Sequence, residues 1–294
     1  MPVLDYFVVD VFTGVALEGN QLAVVMNTSG LTSAQMQSIA REFNLSETTF
    51  VERRASDLEA AEGVRVRIFT TQEELQFAGH PTLGTASVLR ISAPTTLAGD
   101  TVTLRLNVGS VPVKFFPDGV IGQMTQPNPT FGEMLDPAEV AQLIGLEVSD
   151  LDPTLPPAIV STGTAFVVVA LSSLDALARF NVRHQQATTW LRARSARWFY
   201  ALAPTSTTDP DFRARMQFNG GEDPATGSAA GCAIAWLVLR NAVPPGRRIH
   251  LRQGVEIARP SDLFLSAQML DGCVTQVQVA GSTVLVAKGQ LFLP

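Results

Sequence analysis

Two short segments constrain this chain more than any other feature. "HPTLGTA" (80–86) and "DPATGSA" (223–229) align on proline. His80 then stands opposite Asp223, Pro81 matches Pro224, and Gly84 matches Gly227. Thr85 matches Ser228, and Ala86 matches Ala229. Each segment runs into an apolar stretch rich in Gly, Ala and Ser, "SVLR" in the first and "AGCAIAWLVLR" in the second. Such residues suit a helix that strands surround closely. A weaker echo sets "ETTFV" (47–51) over "GTAFV" (163–167), with Glu47 opposite Gly163. The pattern predicts two pseudo-symmetric α+β halves, each a mostly antiparallel, barrel-like sheet around one central apolar helix.

The local signals agree. "LDYFVVDVF" (4–12) and "NQLAVVMN" (20–27) read as strands. "LTSAQMQSIAREFN" (31–44) reads as a helix, with Thr32 and Gln35 at capping-box spacing and Asn44 at the C-terminal cap. Segments 46–54 and 63–71 are strand-like, and 100–119 reads as a hairpin. The proline-rich stretch 125–137 reads as a linker or loop. Helices are then predicted over 136–146, 174–180 and 226–240. Strands are predicted over 162–171, 196–204, 211–218, 250–257, 262–272 and 273–293. The halves are drawn at 1–118 and 119–294, with the last strand a candidate to cross back to the first half.

Composition narrows the function. Hydrophobic residues make up 46% of the 294, enough for two cores. A net charge of −6 argues against sequence-independent nucleic-acid binding. No apolar run approaches the roughly 20 residues of a membrane span. Asp5 and Asp10 stand where a secretory signal would carry basic residues. A cytoplasmic protein is the expectation. Cys232 and Cys273 form no CxxC pattern, and His80, His184 and His250 show no metal spacing, so no metal is expected.

Asp223 before Pro224 suits a helix cap, and the cap alone is the plainer reading. The sharper one takes both segments as helix openings whose N–H groups and dipoles hold an anion. The lysine of a phosphate loop is missing and Glu222 and Asp223 would repel phosphate, so a substrate carboxylate fits better. Glu47, at a strand start, is by itself most simply a solvated glutamate. Opposite Gly163 in the echo, it becomes one strong base without a counterpart, which favours single-base proton transfer. A lone histidine beside proline is more often structural. Near a carboxylate, His80 would tend to stay protonated. Cys232, inside the apolar stretch, reads as packing.

"GNQLAVV", "SIAREFNLSETTFV", "RIFTTQEELQFAGHPTLGTA", "GEDPATGSAAG" and "LRQGVEIARPS" together resemble the PhzF-like isomerases of phenazine biosynthesis, almost end to end. The resemblance implies the diaminopimelate epimerase fold without that fold's catalytic cysteine pair. It implies Glu47 as the proton-transferring acid/base, with His80, Asp223 and Ser228 around the reacting part of the substrate. Gly79, Gly227 and the amides near Ser228 would hold a carboxylate, and Ser46 and Asn20 would line the cleft between the halves. It implies a homodimer, no cofactor, and isomerisation of a trans-2,3-dihydro-3-hydroxyanthranilate-like acid. Gln21 departs from the family, which usually has proline there. An epimerase or racemase drawing a second base from Asp223 or His80, and a non-catalytic small-acid binding protein, remain open alternatives.

Overall fold

The computed structural model describes residues 3–92, 99–117, 119–206 and 209–293. The chain divides into two compact units, residues 1–125 with 280–294, and residues 126–279.

The first unit is a closed barrel of eight strands. Their order is Val3–Val11, Asn20–Val25, Glu47–Glu52, Val64–Phe69, Thr101–Leu106, Gly109–Phe115, Ile121–Thr125 and Cys273–Phe292. The last strand returns antiparallel to the first, from Val11↔Thr283 to Val3↔Phe292. Two neighbouring pairs are parallel, Asn20–Val25 with Glu47–Glu52 and Val64–Phe69 with Thr101–Leu106. A parallel pair needs a crossover. The first uses the helix Ser33–Phe43, which carries the expected capping box of Thr32 and Gln35 and ends on Asn44 at φ 51°. The second passes through Gly79–Ser92, whose residues Gly79 to Leu89 are all buried. Gly84 is where the barrel wall comes closest. A Cβ there would stand 2.7 Å from the side chains of Leu22 and Val11.

The second unit repeats the scheme. Its strands run Thr130–Met134, Ala158–Ser161, Ala165–Ala170, Trp198–Pro204, Phe212–Arg215, Ile249–Gln253, Ser261–Leu270 and the start of Cys273–Phe292. Again two pairs are parallel, Ala165–Ala170 with Trp198–Pro204 and Phe212–Arg215 with Ile249–Gln253. The second crossover is again the central helix, Gly227–Leu239, buried at every position from Ala229 to Val238. Leu174–Arg179 and His184–Ala193 span the first and pack outside the sheet on Val167, Val169, Phe199 and Ala201. With apolar cover on both faces, "AFVVVA" shows no alternation, as a strand buried on both sides should not.

Three sequence expectations change. The proline-rich stretch holds a strand, Thr130–Met134, paired with Ala158–Ser161. The predicted strand 250–257 ends at Gln253, and Val255–Ile257 is a short 3-10 turn after Gly254 at φ 79°. The weaker echo was set on the wrong strands. Leu22 pairs in parallel with Glu47 as Phe166 pairs with Trp198, so the strand scheme matches Glu47 to Trp198. Gly163 lies in the turn before a different strand of the scheme.

Candidate functional site

In the first unit, three of the sequence-marked residues meet at the start of the buried helix. His80 lies in its first turn and is 5% exposed. Asn20 opens its strand, is fully buried, and places Nδ2 3.3 Å from His80 Nδ1. Glu47 opens the neighbouring parallel strand and places Oε2 3.4 Å from His80 Nε2. The parallel pairing of Leu22 with Glu47 aligns these two strand starts. His80 Nε2 is buried and makes no hydrogen bond, its approach to Glu47 being a contact without bonding alignment. Gly79, next to it in the chain, is buried, while Ser46, which precedes Glu47, is exposed.

The charge on His80 corrects the sequence expectation. Burial pushes the imidazole down to about 3, against a smaller upward pull from a backbone hydrogen bond at Gln21. The ring is therefore neutral at physiological pH. Desolvation is the dominant cause, and no aligned hydrogen bond links the ring to Glu47.

In the second unit, Asp223, Gly227 and Ser228 gather where the other central helix begins. Asp223 is not its cap. The helix starts at Gly227, and its N-cap, Thr226, makes no side-chain cap bond. Asp223 precedes the helix and accepts a hydrogen bond on Oδ2 from Thr226 Oγ1 at 2.6 Å. Ser228 alone keeps partial exposure between Gly227 and Val238. The first turn thus sets backbone N–H groups and a positive dipole end beside a polar, accessible hydroxyl.

Residues that the sequence reading passed over hold this turn in place. Gln126 donates from Nε2 to the Gly227 carbonyl at 2.8 Å and accepts on Oε1 from Thr162 Oγ1 at 2.6 Å. Both are buried. Gly231 makes room for that amide, since a Cβ there would overlap Gln126 Oε1. A Gly231→Ala protein should lose about 1–3 kcal/mol through this overpacking. Urea unfolding measures it, and an unchanged midpoint would show that the amide can move away freely. Cys232 Sγ lies 3.6 Å from Thr162 Oγ1. It is fully buried, and burial pushes its thiol up to about 11. It stays a thiol, consistent with packing and unfit for proton abstraction.

Among the described residues no cluster of three or more His, Cys, Asp or Glu could hold a metal ion, and no helix is long and apolar enough to cross a membrane. Against known families, the chain matches the PhzC-PhzF family, described as phenazine biosynthesis-like protein, over residues 9–289. The chain belongs to this family. The trans-2,3-dihydro-3-hydroxyanthranilate isomerase of Pseudomonas aeruginosa is 36% identical, across 98% of this chain and 99% of its own length. A PhzF-family structure from Bacillus anthracis covers the whole of both chains with a TM-score of 0.88 and 26% identity. A hydroxyproline epimerase from Agrobacterium vitis shares the fold, with a TM-score of 0.67 at 12% identity over 98% of this chain and 92% of its own. As a PhzC-PhzF protein, the chain is an isomerase with the α+β fold its repeat suggested.

Proposed function

We propose that this isomerase moves a proton within a small unsaturated cyclic carboxylic acid of the trans-2,3-dihydro-3-hydroxyanthranilate type. The observation that carries the reading is a half-buried carboxylate, Glu47, held beside a neutral buried imidazole. Glu47 takes the C–H proton and returns it further along the conjugated system. A neutral His80 cannot quench that carboxylate as a fixed ion pair, so Glu47 keeps its basicity. Asp223 orients the polar substituents of the ring. The N–H groups of Gly227 and Ser228 hold the substrate carboxylate, where the helix dipole favours charge that develops as the proton leaves. Asn20 and Ser46 complete the lining. The shift is redox-neutral, so the scheme uses no electron carrier.

A two-base epimerase would instead draw its second base from Asp223 or His80.

The test is direct. The protein is mixed with trans-2,3-dihydro-3-hydroxyanthranilate and the ring protons are followed by NMR. A new isomer formed at catalytic protein concentration is expected. Binding without conversion would instead fit a non-catalytic small-acid protein. Inversion at a stereocentre with unchanged connectivity would fit an epimerase.

A further inference from the structure

Asp223 carries a role in the proposed reaction, yet its carboxylate sits on a loop before a helix. What fixes it is a chain of buried hydrogen bonds within the second unit. Gln253, the last residue of the strand Ile249–Gln253, is 0% exposed. Its amide makes four bonds. Oε1 accepts from the Tyr200 hydroxyl at 3.0 Å and from the Thr226 backbone N–H at 3.1 Å. Nε2 donates to the Asp223 backbone carbonyl at 2.8 Å and to Thr226 Oγ1 at 3.0 Å.

The direction of each bond is fixed by chemistry. A backbone N–H can only donate, so it must face the amide oxygen, and a carbonyl can only accept, so it must face the amide nitrogen. Thr226 Oγ1 therefore receives a hydrogen from Gln253. Its own hydrogen is left for Asp223 Oδ2, 2.6 Å away, a charge-assisted bond. Tyr200 stays protonated, because burial and the nearby Asp223 and Cys232 all raise its pKa. The neighbouring Glu222 is engaged by Arg215 at 2.6 Å.

We propose that Gln253 and Thr226 are positioning residues for the Asp223 carboxylate: the Gln253 amide orients the Thr226 hydroxyl, which holds Asp223 ionised and aimed. The proposal rests on the reading of Asp223 as a substrate-contacting group. A purely structural network would stabilise the fold equally well, but its loss would not lower kcat while leaving KM nearly unchanged.

The test uses the full chain and three variants. Thr226→Val keeps the shape and removes the hydroxyl. Thr226→Ser restores it, and Thr226→Ala covers the case in which valine fails to fold. Carboxyl ¹³C NMR follows Asp223, assigned by the signal missing in Asp223→Asn, and needs no substrate. In Thr226→Val and Thr226→Ala, Asp223 should titrate about one pH unit or more above its value in the parent, the size of one lost hydrogen bond to a charged group. Thr226→Ser should return it close to the parent. With substrate, kcat in Thr226→Val should fall by about 10-fold or more, since small misplacements of a reacting constellation are costly. KM should change less, and serine should rescue the rate. Unmoved titration and turnover in Thr226→Val would overturn the proposal, as would a serine variant as impaired as valine. If Asp223→Asn is inactive while Thr226→Val behaves like the parent, only the positioning role is lost. If Asp223→Asn turns over normally, the functional reading of Asp223 falls and the proposal falls with it.

Discussion

Replacing Glu47 by glutamine is expected to lower turnover by about 10²–10⁴-fold or more, the usual contribution of a positioned acid/base group. The substitution keeps the side chain's shape and removes its capacity to accept a proton. The fold should survive. Glu47 opens its strand, and the strand is held by backbone pairing with Asn20–Val25 and Val64–Phe69. A glutamine amide can still sit beside His80 Nε2. Binding should also survive, with KM within a few-fold of the parent, because the substrate carboxylate is assigned to helix N–H groups. NMR in D₂O adds a second readout. Deuterium at the shifted carbon of the parent's product would show a base that exchanges with solvent. A Glu47→Gln protein with parental turnover would remove Glu47 from the mechanism, and Asp223 would become the base to test.

The sequence and the structure agree best where chemistry is local. The capping box of Thr32 and Gln35, and the left-handed Asn44, are written in three residues and need no tertiary partner. The central helices were legible because small residues run through both, and small residues there answer to one cause, the close strand wall at Gly84 and the Gln126 amide at Gly231. The two heptapeptides differ in local structure. His80 and Pro81 lie inside their helix, and Asp223 and Pro224 precede theirs. What the sequence hid is non-local. The match of Glu47 to Trp198 depends on strand order, which a five-residue echo cannot carry. Gln126, Thr162, Gln253 and Tyr200 come from separate strands and loops, and only folding brings them to the opening of one helix. The one advance signal among them is Gln253, a glutamine in a strand context that proves fully buried. The charge state of His80 was misread for the same reason, because burial is a tertiary property and it outweighs a carboxylate visible in the motif.

That charge state has a measurable consequence for stability. An exposed histidine titrates at 6.5, whereas His80 in the folded chain titrates at about 3. Below pH 6.5 the unfolded chain takes up a proton that the folded chain refuses. Stability must then fall as pH falls, by about 1.4 kcal/mol per unit once well below 6.5, and the loss is complete only near pH 3. The full window amounts to about 5 kcal/mol, a large share of the ~5–15 kcal/mol typical of a folded protein. His250 works in the other direction. Its pKa is raised, with Asp262 and Asp209 outweighing the effect of burial, so its contribution is complete below 6.5 and is lost only as pH rises. It adds no slope on the acid side. Urea unfolding of the parent and of His80→Gln, at pH 6.5 and pH 5.0, isolates the effect, because the carboxylates are common to both proteins. The parent should lose about 1.5–2 kcal/mol more than the variant between those two values. Parallel pH dependences would mean that the folded protein binds a proton at His80 near neutrality. His80 and Glu47 would then form an ion pair, and Glu47 would be a weaker base than the proposed reaction requires.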